Sequence, residues 1–180
     1  MATSLSFASE AIVYPTLNVT AIAARNGSSV FECWALNPGF VQSTQSGTVG
    51  AQLLQMGNLA NASFSILPAN FTGGLHNAPA VQWVSFVSGL AHVTLPNSTA
   101  EAWVVGGPHG LIVATDTAAV STYGHISVYP SFEETRTLQI PTAGGAIPGH
   151  TVLHDGPCDA AVQRKRAMRI MRRGALNDLD

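Results

Sequence analysis

Apolar and polar positions alternate along this chain in short runs that end at turn residues. Apolar runs of four to eight residues, many of them rich in Val, Ile, Phe and Trp, stop at Gly, Pro or Asn. Closely spaced short runs predict an all-β sandwich or barrel, and the absence of helical segments between them argues against an α/β parallel sheet. The predicted strands are residues 11–14, 29–36, 61–67, 82–88, 90–95, 101–105, 111–115, 125–129, 134–140 and 151–154.

Two further segments carry local signals of their own. Residues 25–28 form a good turn, because Asn-Gly favours a tight hairpin connection. Residues 51–57 fit either a strand or one helical turn, and their periodicity does not decide between the two.

The pattern becomes helical after Pro157. It predicts one helix of about four turns over residues 159–173, with Asp159 capping its start and Gly174 its end. Val162 and Ile170 fall near one stripe of this helix together with several arginines. We therefore divide the chain into a β domain of residues 1–155 and a basic helical tail of residues 156–180.

The stretch from Gly73 to Gly89 carries the polar groups that suggest a site. Its glycine pair allows a tight turn, and the run that follows has strand character. If the segment is extended throughout, alternate side chains share one face. The members of that face are His76, Ala78, Gln82, Val84 and Phe86. A ring nitrogen and an amide beside apolar groups are typical of a lined cavity, while Trp83 points to the other face and could meet a partner subunit.

Composition and charge narrow the possible partners. Apolar residues make up 46% of the 180 residues and charged residues only 10%, so we expect a lightly charged surface partly covered in a homodimer. Residues 1–160 carry a net charge of −6 and the remainder +4. Because the basic tail has no interleaved aromatics and the body is acidic, we expect it to pack on, or swap onto, an acidic neighbouring barrel rather than to bind nucleic acid.

Compartment signals are weak in the sequence. The first residues lack a basic start and a sustained apolar region, and no run approaches the roughly 18 apolar residues of a membrane span. Cys33 and Cys158 are too few for a disulfide framework, so we expect two buried free thiols and a cytoplasmic protein. Without a secretory signal, the five Asn-x-Ser/Thr sequons are expected to be an unmodified by-product of a chain rich in Ser, Thr and Asn.

The spacing in residues 73–89 resembles the first motif of the cupin superfamily. That motif has a Gly, a His, a second His two residues later, a Glu or Gln, and a Gly seven further on. His76, Gln82 and Gly89 match it, and Ala78 stands where the second His would be. Residues 107–113 resemble the turn and strand of the second motif, and His125 resembles its returning His at a longer spacing. The resemblance covers residues 60–130 and implies a cupin-type double-stranded β-helix, or jelly-roll barrel, followed by the C-terminal helix.

The resemblance also implies a site. Cupins bind a divalent metal through three imidazoles and a carboxylate, and the equivalent positions here are His76, Gln82 and His125. Either no cofactor is required, or these three residues hold one divalent ion such as Zn, Ni or Fe. Without metal, the two imidazoles are proton-transfer groups and Gln82 orients the substrate. Val84, Phe86 and Trp103 are expected to form the cavity wall.

The whole chain resembles small single-cupin proteins of filamentous fungi, some of which lie beside secondary-metabolite enzymes. This implies a small-molecule enzyme that isomerises, cyclises or dehydrates a polyketide-like substrate. Two alternatives stay open: a non-catalytic cupin that binds a ligand or has a structural role, and a metal-dependent cupin oxygenase.

Overall fold

Strands account for most of the regular structure in the computed structural model, which describes residues 15–177. The strands are β1 (Asn18–Arg25), β2 (Ser28–Leu36), β3 (Val41–Gln42), β4 (Gln52–Leu53), β5 (Ser63–Leu67), β6 (Phe71–His76), β7 (Gln82–Ser88), β8 (Leu90–Thr94), β9 (Glu101–Val105), β10 (Leu111–Ala114), β11 (His125–Tyr129), β12 (Thr135–Pro141) and β13 (His150–Asp155). A short 3₁₀ turn (Ala143–Gly145) precedes β13, and the helix α1 (Ala160–Asn177) follows it. The all-β class with a C-terminal helix is confirmed, whereas the strand expected at residues 11–14 lies outside the described residues.

The strands form two large sheets and one small one. The order in the seven-stranded sheet is β13-β2-β1-β10-β7-β12-β5, and in the four-stranded sheet it is β6-β11-β8-β9. Strands β3 and β4 pair with each other. Most pairs are antiparallel, but β1 and β10 run parallel. Within residues 15–177 each large sheet ends in two unpaired edges, so neither closes into a barrel.

The hydrophobic core lies between the two large sheets. Ile22 and Phe86 from the seven-stranded sheet pack in one cluster with Val93 and Val104 from the four-stranded sheet. Such face-to-face packing buries one side of each sheet.

A second cluster covers the outer face of the seven-stranded sheet. Trp83, Trp34 and Val113 pack there under Leu54 and Met56 from the segment after β4. Trp83 belongs to this outer cluster, so its side chain does point away from the inner core. It is only 1% exposed, because other residues of the same chain cover it.

The sequence pattern missed β1. This strand lies between β2 and β10 and is buried on both faces over its middle residues, so its sequence shows no alternation. The predicted turn that joins it to β2 is confirmed, because Asn26 and Gly27 have φ angles of 52° and 77°. The glycine pair at residues 73–74 also lies inside a strand, β6, rather than in a turn before one.

Helix α1 packs on the outer face of the four-stranded sheet. Ala167 is fully buried against Leu90 and Val105, and Trp103 packs beside them. Of the two apolar residues on the predicted stripe, Ile170 packs against this cluster, whereas Val162 is 57% exposed. Gly174 does not end the helix but lies within its last turn against the ring of Phe132, where a Cβ would clash. In the part of the chain that the structure describes, no helix has the length and apolarity needed to cross a membrane.

Cys33 and Cys158 form a disulfide bond with a Cα–Cα distance of 4.8 Å. The prediction of two free thiols is therefore wrong. The bond links β2 to the segment just before α1, across a sequence separation of 125 residues. The pairing of β13 with β2 brings the two cysteines together, and a tertiary contact of this kind leaves no signal in their spacing.

Candidate functional site

A cavity of about 500 Å³ opens between the two large sheets. This volume is in the range of sites that enclose a small organic ligand. Apolar side chains form one part of its wall: Ile22, Val84, Phe86, Val93, Ile112 and Ala114. Polar side chains form another part: His76, Gln82, His125, Ser127, Tyr129 and Gln139.

The residues predicted to share one face do line this cavity, although the chain between them is not extended throughout. His76 ends β6 in the four-stranded sheet, and Gln82 begins β7 in the seven-stranded sheet. Ala78 between them makes a single bridge to Thr117. His76 and Ala78 therefore line the cavity from outside β7, which carries Gln82, Val84 and Phe86, rather than along one strand with them.

Trp103 does not line this cavity, contrary to our expectation for the wall. It lies on the outer face of the four-stranded sheet, where its ring stacks on His92 at 3.9 Å beside helix α1. The alternation along β9 explains the error. Ala102 and Val104 point inward to the core, so Trp103 must point outward.

Strand β11 contributes three side chains to the cavity by alternation: His125, Ser127 and Tyr129. His125 is paired with His76 across the two antiparallel strands, and their ring centroids are 4.5 Å apart at an interplanar angle of 61°. Gly124 makes this approach possible, because it has a φ of 64° and a Cβ there would clash with the carbonyl of His76.

A buried carboxylate holds the ring of His125. His125 Nδ1 lies 2.7 Å from Asp116 Oδ2, and Asp116 is fully buried just after β10. Ser29 Oγ donates a hydrogen bond of 2.6 Å to the same oxygen. An ionised carboxylate only accepts hydrogen bonds, so opposite an ionised Asp116 the hydrogen lies on Nδ1 of His125.

The polar groups behind Asp116 form a chain with only one consistent direction. The hydroxyl hydrogen of Ser29 is donated to Asp116. In the 2.8 Å hydrogen bond between Ser29 Oγ and Ser121 Oγ, Ser121 is therefore the donor. The backbone N–H of Gly124 donates to Ser121 in turn. Asn77 donates to the carbonyls of Asp116 and Ser121, which fixes the loop that carries them. This network orients Asp116 and, through it, His125.

Nε2 is consequently the ring nitrogen of His125 that can contact a bound substrate. It has no hydrogen-bond partner among residues 15–177, and its ring lines the cavity. A neutral imidazole held in this tautomer offers an Nε2 lone pair, and a carboxylate on Nδ1 stabilises the imidazolium that forms when Nε2 takes a proton. This is the geometry of a general base.

Sequence reasoning identified His125 but missed Asp116, Ser29 and Ser121. Asp116 is one of ten acidic residues, and it follows an apolar strand at the head of a small polar segment. An isolated acidic residue directly after an apolar strand was therefore the sequence signal that could have identified Asp116. Ser29 and Ser121 carry no such signal, since the tertiary fold alone brings them together.

His76 is held differently from His125. Its Nδ1 lies 3.0 Å from the carbonyl oxygen of Gly74, and its side chain is exposed at the cavity mouth. A backbone carbonyl also fixes the tautomer with hydrogen on Nδ1, but it brings no full negative charge to stabilise an imidazolium.

Two amides and a phenol complete the polar wall. Gln82 is 8% exposed and its amide has no partner in the described chain, whereas Gln139 accepts hydrogen bonds from Ser63 and Ser65. Burial raises the pKa of Tyr129, and its hydrogen bond with Ser127 offsets only part of that rise. Tyr129 therefore keeps its hydroxyl hydrogen at neutral pH.

The donor set does not match the metal centre that the cupin resemblance implies. Among the described residues, no group of three or more His, Cys, Asp or Glu side chains gathers at one point. His76, His125 and Gln82 supply two imidazoles and a neutral amide, and apolar Ala78 occupies the position of a further imidazole. Such a set falls short of the charged four-ligand sites that bind divalent metals firmly.

Comparisons with known proteins returned no match. No family model, no curated protein and no solved structure is significantly similar to this chain.

Proposed function

We propose that this protein is a small-molecule enzyme in which His125 acts as a general base on a carbonyl compound bound in the cavity. One observation carries the proposal: the buried Asp116–His125 pair, in which ring nitrogen Nε2 has no partner among the described residues and lies at a partly open, partly apolar cavity. Positioned acid–base groups of this kind contribute about 10²- to 10⁴-fold to a rate.

The wall suggests the kind of substrate. Val84, Phe86 and Ile112 suit an apolar ring or chain, and the polar groups opposite suit carbonyl or hydroxyl oxygens. A polyketide-like molecule has both features, together with acidic C–H groups between carbonyls.

The chemistry follows from the positions of the groups. His125 Nε2 takes a proton from the carbon next to a carbonyl, and Asp116 stabilises the resulting imidazolium. The electron pair moves onto the carbonyl oxygen, where Tyr129 O–H and Gln82 N–H donate hydrogen bonds to the enolate. Return of the proton to another carbon isomerises the substrate, and its transfer to a departing hydroxyl dehydrates it. Attack of the enolate carbon on a second carbonyl closes a ring.

The finer architecture is part of the same proposal. A cupin-type double-stranded β-helix is supported by the two facing sheets, and by the fact that His76, Gln82 and His125 line one cavity between them. A role in fungal specialised metabolism rests on the sequence resemblance. A homodimer is supported by edge strand β5, where Phe64 and Ile66 are more than half exposed.

Isotope exchange tests the proposal without knowledge of the natural substrate. A panel of small ketones and β-dicarbonyl compounds is incubated with the protein in D₂O, and loss of the α-hydrogen signal is followed by NMR. We expect the native protein to accelerate exchange for a subset, and His125→Gln to lower that rate by about 10²- to 10⁴-fold.

The matched control is His92→Gln, which removes an imidazole from the other face of the same sheet and should leave the rate unchanged. Circular dichroism confirms that each variant is folded. If compounds bind but none exchanges, the protein is the non-catalytic ligand-binding cupin. If His125→Gln exchanges at the native rate, His125 is not the base.

The metal-dependent oxygenase is the remaining alternative, with His76, His125 and Gln82 as ligands for Zn, Ni or Fe. Nε2 of each imidazole is free to bind an ion, which is the observation in its favour. We expect exchange to survive treatment with a strong chelator and dialysis, as measured by the same assay with metal analysis in parallel. Loss of activity on chelation, restored by one of these ions, would favour the metalloenzyme.

A further inference from the structure

Sequons are more frequent in this chain than its composition predicts. Five of the nine asparagines lie two positions before a Ser or Thr: Asn18, Asn26, Asn61, Asn70 and Asn97. Thirty of the 180 residues are Ser or Thr, so chance placement would give about one or two sequons. Our expectation that the sequons are a by-product of composition does not account for this excess.

All five sequon asparagines are exposed in the folded protein. Asn26 and Asn70 occupy tight turns with φ angles of 52° and 55°, and Asn97 lies in the turn between β8 and β9. Asn18 starts β1, and Asn61 precedes β5. Each position therefore has room for a bulky polar group on the surface.

The amide nitrogens of these side chains are also free. In the described chain, Asn18 is the single sequon asparagine with a side-chain hydrogen bond, and it accepts that bond through Oδ1 from Thr16. Asn77 and Asn37 are outside sequons, and both donate hydrogen bonds through Nδ2. The asparagines whose Nδ2 has a structural role are thus those that no sequon marks.

The disulfide is an independent observation that points to the same compartment. Disulfide bonds form and persist in oxidising environments and are rare where glutathione keeps thiols reduced. Cys33 and Cys158 are paired, which removes the free-thiol ground for the cytoplasmic expectation. Asn-linked glycosylation takes place in the oxidising lumen where such bonds form.

We propose that this protein matures in an oxidising secretory compartment and is N-glycosylated at its exposed sequons, most clearly Asn70 and Asn97. The reaction joins Nδ2 to C1 of the first sugar of a lipid-diphosphate-linked oligosaccharide. One amide proton is lost, and the lipid diphosphate leaves from C1. The sites lie outside the cavity lining, so the proposal does not depend on the proposed enzyme activity.

Mass spectrometry of the full chain, purified from the cells that naturally produce it, tests the proposal. Peptide-N-glycosidase treatment in ¹⁸O-water should shift the intact mass downward and convert occupied asparagines to ¹⁸O-labelled Asp. We expect conversion at Asn70 and Asn97 and none at Asn37, Asn58 or Asn77. An untreated mass equal to that of the bare polypeptide would overturn the proposal.

Two matched substitutions sharpen the test in the same cells. Thr99→Ala removes the sequon of Asn97 but keeps the asparagine, and Thr99→Ser keeps both; Thr99 is exposed and has no side-chain hydrogen bond in the described chain. We expect the loss of one glycan in Thr99→Ala only, and equal masses of glycan in both variants would contradict occupancy of Asn97. Alkylation of the denatured but unreduced protein should label neither cysteine, and two labelled thiols would overturn the compartment assignment.

Discussion

Two histidine–carboxylate pairs lie on opposite faces of the four-stranded sheet. His125 is paired with Asp116 beside the cavity at 2.7 Å, and His92 is paired with Glu101 under helix α1 at 2.8 Å. The distances are almost equal, but the pairs differ in burial. The side chains are 6% and 0% exposed in the first pair, and 20% and 34% exposed in the second.

The nitrogen that meets the carboxylate also differs. Asp116 is hydrogen-bonded to Nδ1 of His125, so Nε2 of that ring faces the cavity. Glu101 is hydrogen-bonded to Nε2 of His92, whose ring is stacked on Trp103. Arg164 of α1 lies 3.6 Å from Glu101, so the second pair joins the helix to the sheet. A short His–carboxylate distance thus does not identify a catalytic pair. The free nitrogen and what it faces decide what the pair can do.

The largest expected difference is in stability. Asp116→Ala leaves His125 and Ser29 without their buried partner, and we expect the free energy of unfolding to fall by about 3–5 kcal/mol. Glu101→Ala breaks a partly solvated pair and should cost about 1 kcal/mol or less. Urea unfolding followed by circular dichroism measures both. Equal losses in the two variants would show that burial does not distinguish the pairs.

The second prediction concerns the ring nitrogens. In the neutral state, long-range ¹H–¹⁵N NMR should find hydrogen on Nδ1 of His125 and on Nε2 of His92. Asp116→Asn should free the first ring from its fixed tautomer and lower the proposed exchange rate by about 10²-fold. Glu101→Gln is its matched control and should leave that rate unchanged. Hydrogen on Nε2 of His125 in the native protein would remove the base from our mechanism.

A smaller effect is expected in acid. Burial alone would raise the pKa of Glu101, but the hydrogen bond with His92 and the nearby charges of His92 and Arg164 lower it overall. Glu101 therefore contributes stability above its unfolded pKa of about 4.3, and this contribution is lost as the pH falls through its lower folded pKa. Glu101→Gln should flatten this part of the acid unfolding profile by about 1 kcal/mol or less. An unchanged profile would mean that the pair does not hold the helix.

The smallest effect is expected in alkali, on the cavity side. Burial raises the pKa of Tyr129, so its neutral form is favoured in the folded protein. Its contribution to stability is complete below the unfolded pKa of about 10 and is lost as the pH rises through the folded pKa. Tyr129→Phe should remove this loss, as measured by the difference in unfolding free energy between the two proteins from neutral to alkaline pH. If the unfolding free energies of the native protein and Tyr129→Phe change in parallel with pH, the Tyr129 hydroxyl is solvated in the folded protein.

Local patterns revealed much of the fold, and less of the site. The runs around Val84 and Val104 were recognised because β-branched and aromatic residues stand between turn residues, although Trp83 and Val105 bury the other face of the same strands. Strand β1 is also buried on both faces, but its middle is rich in alanine and carries no such signal. His76, Gln82 and Phe86 were found for the same local reason, since they lie within eleven residues and point into one cavity.

The remaining site residues come from separate parts of the chain. Ser29, Asp116 and His125 belong to β2, the loop after β10 and β11, and only the packing of two sheets brings their side chains within hydrogen-bonding distance. Trp103 was assigned to the wrong side because its residue type suits a cavity wall as well as a helix interface. Ala102 and Val104 on either side of it point into the core, so Trp103 lies on the outer face of the sheet.

By itself, then, the sequence determined an all-β chain with a C-terminal helix, a hairpin turn at Asn26–Gly27 and one cavity-facing segment, because turn chemistry and periodicity act between near neighbours. The partners of His125 and Cys33, the covering of Trp83 and the open edges of both sheets were decided by tertiary structure. The physical reason is the same in each case. Hydrogen bonds, disulfides and packing act over a few ångströms in space, whatever the distance along the chain, and here only the folded sheets bring those atoms that close.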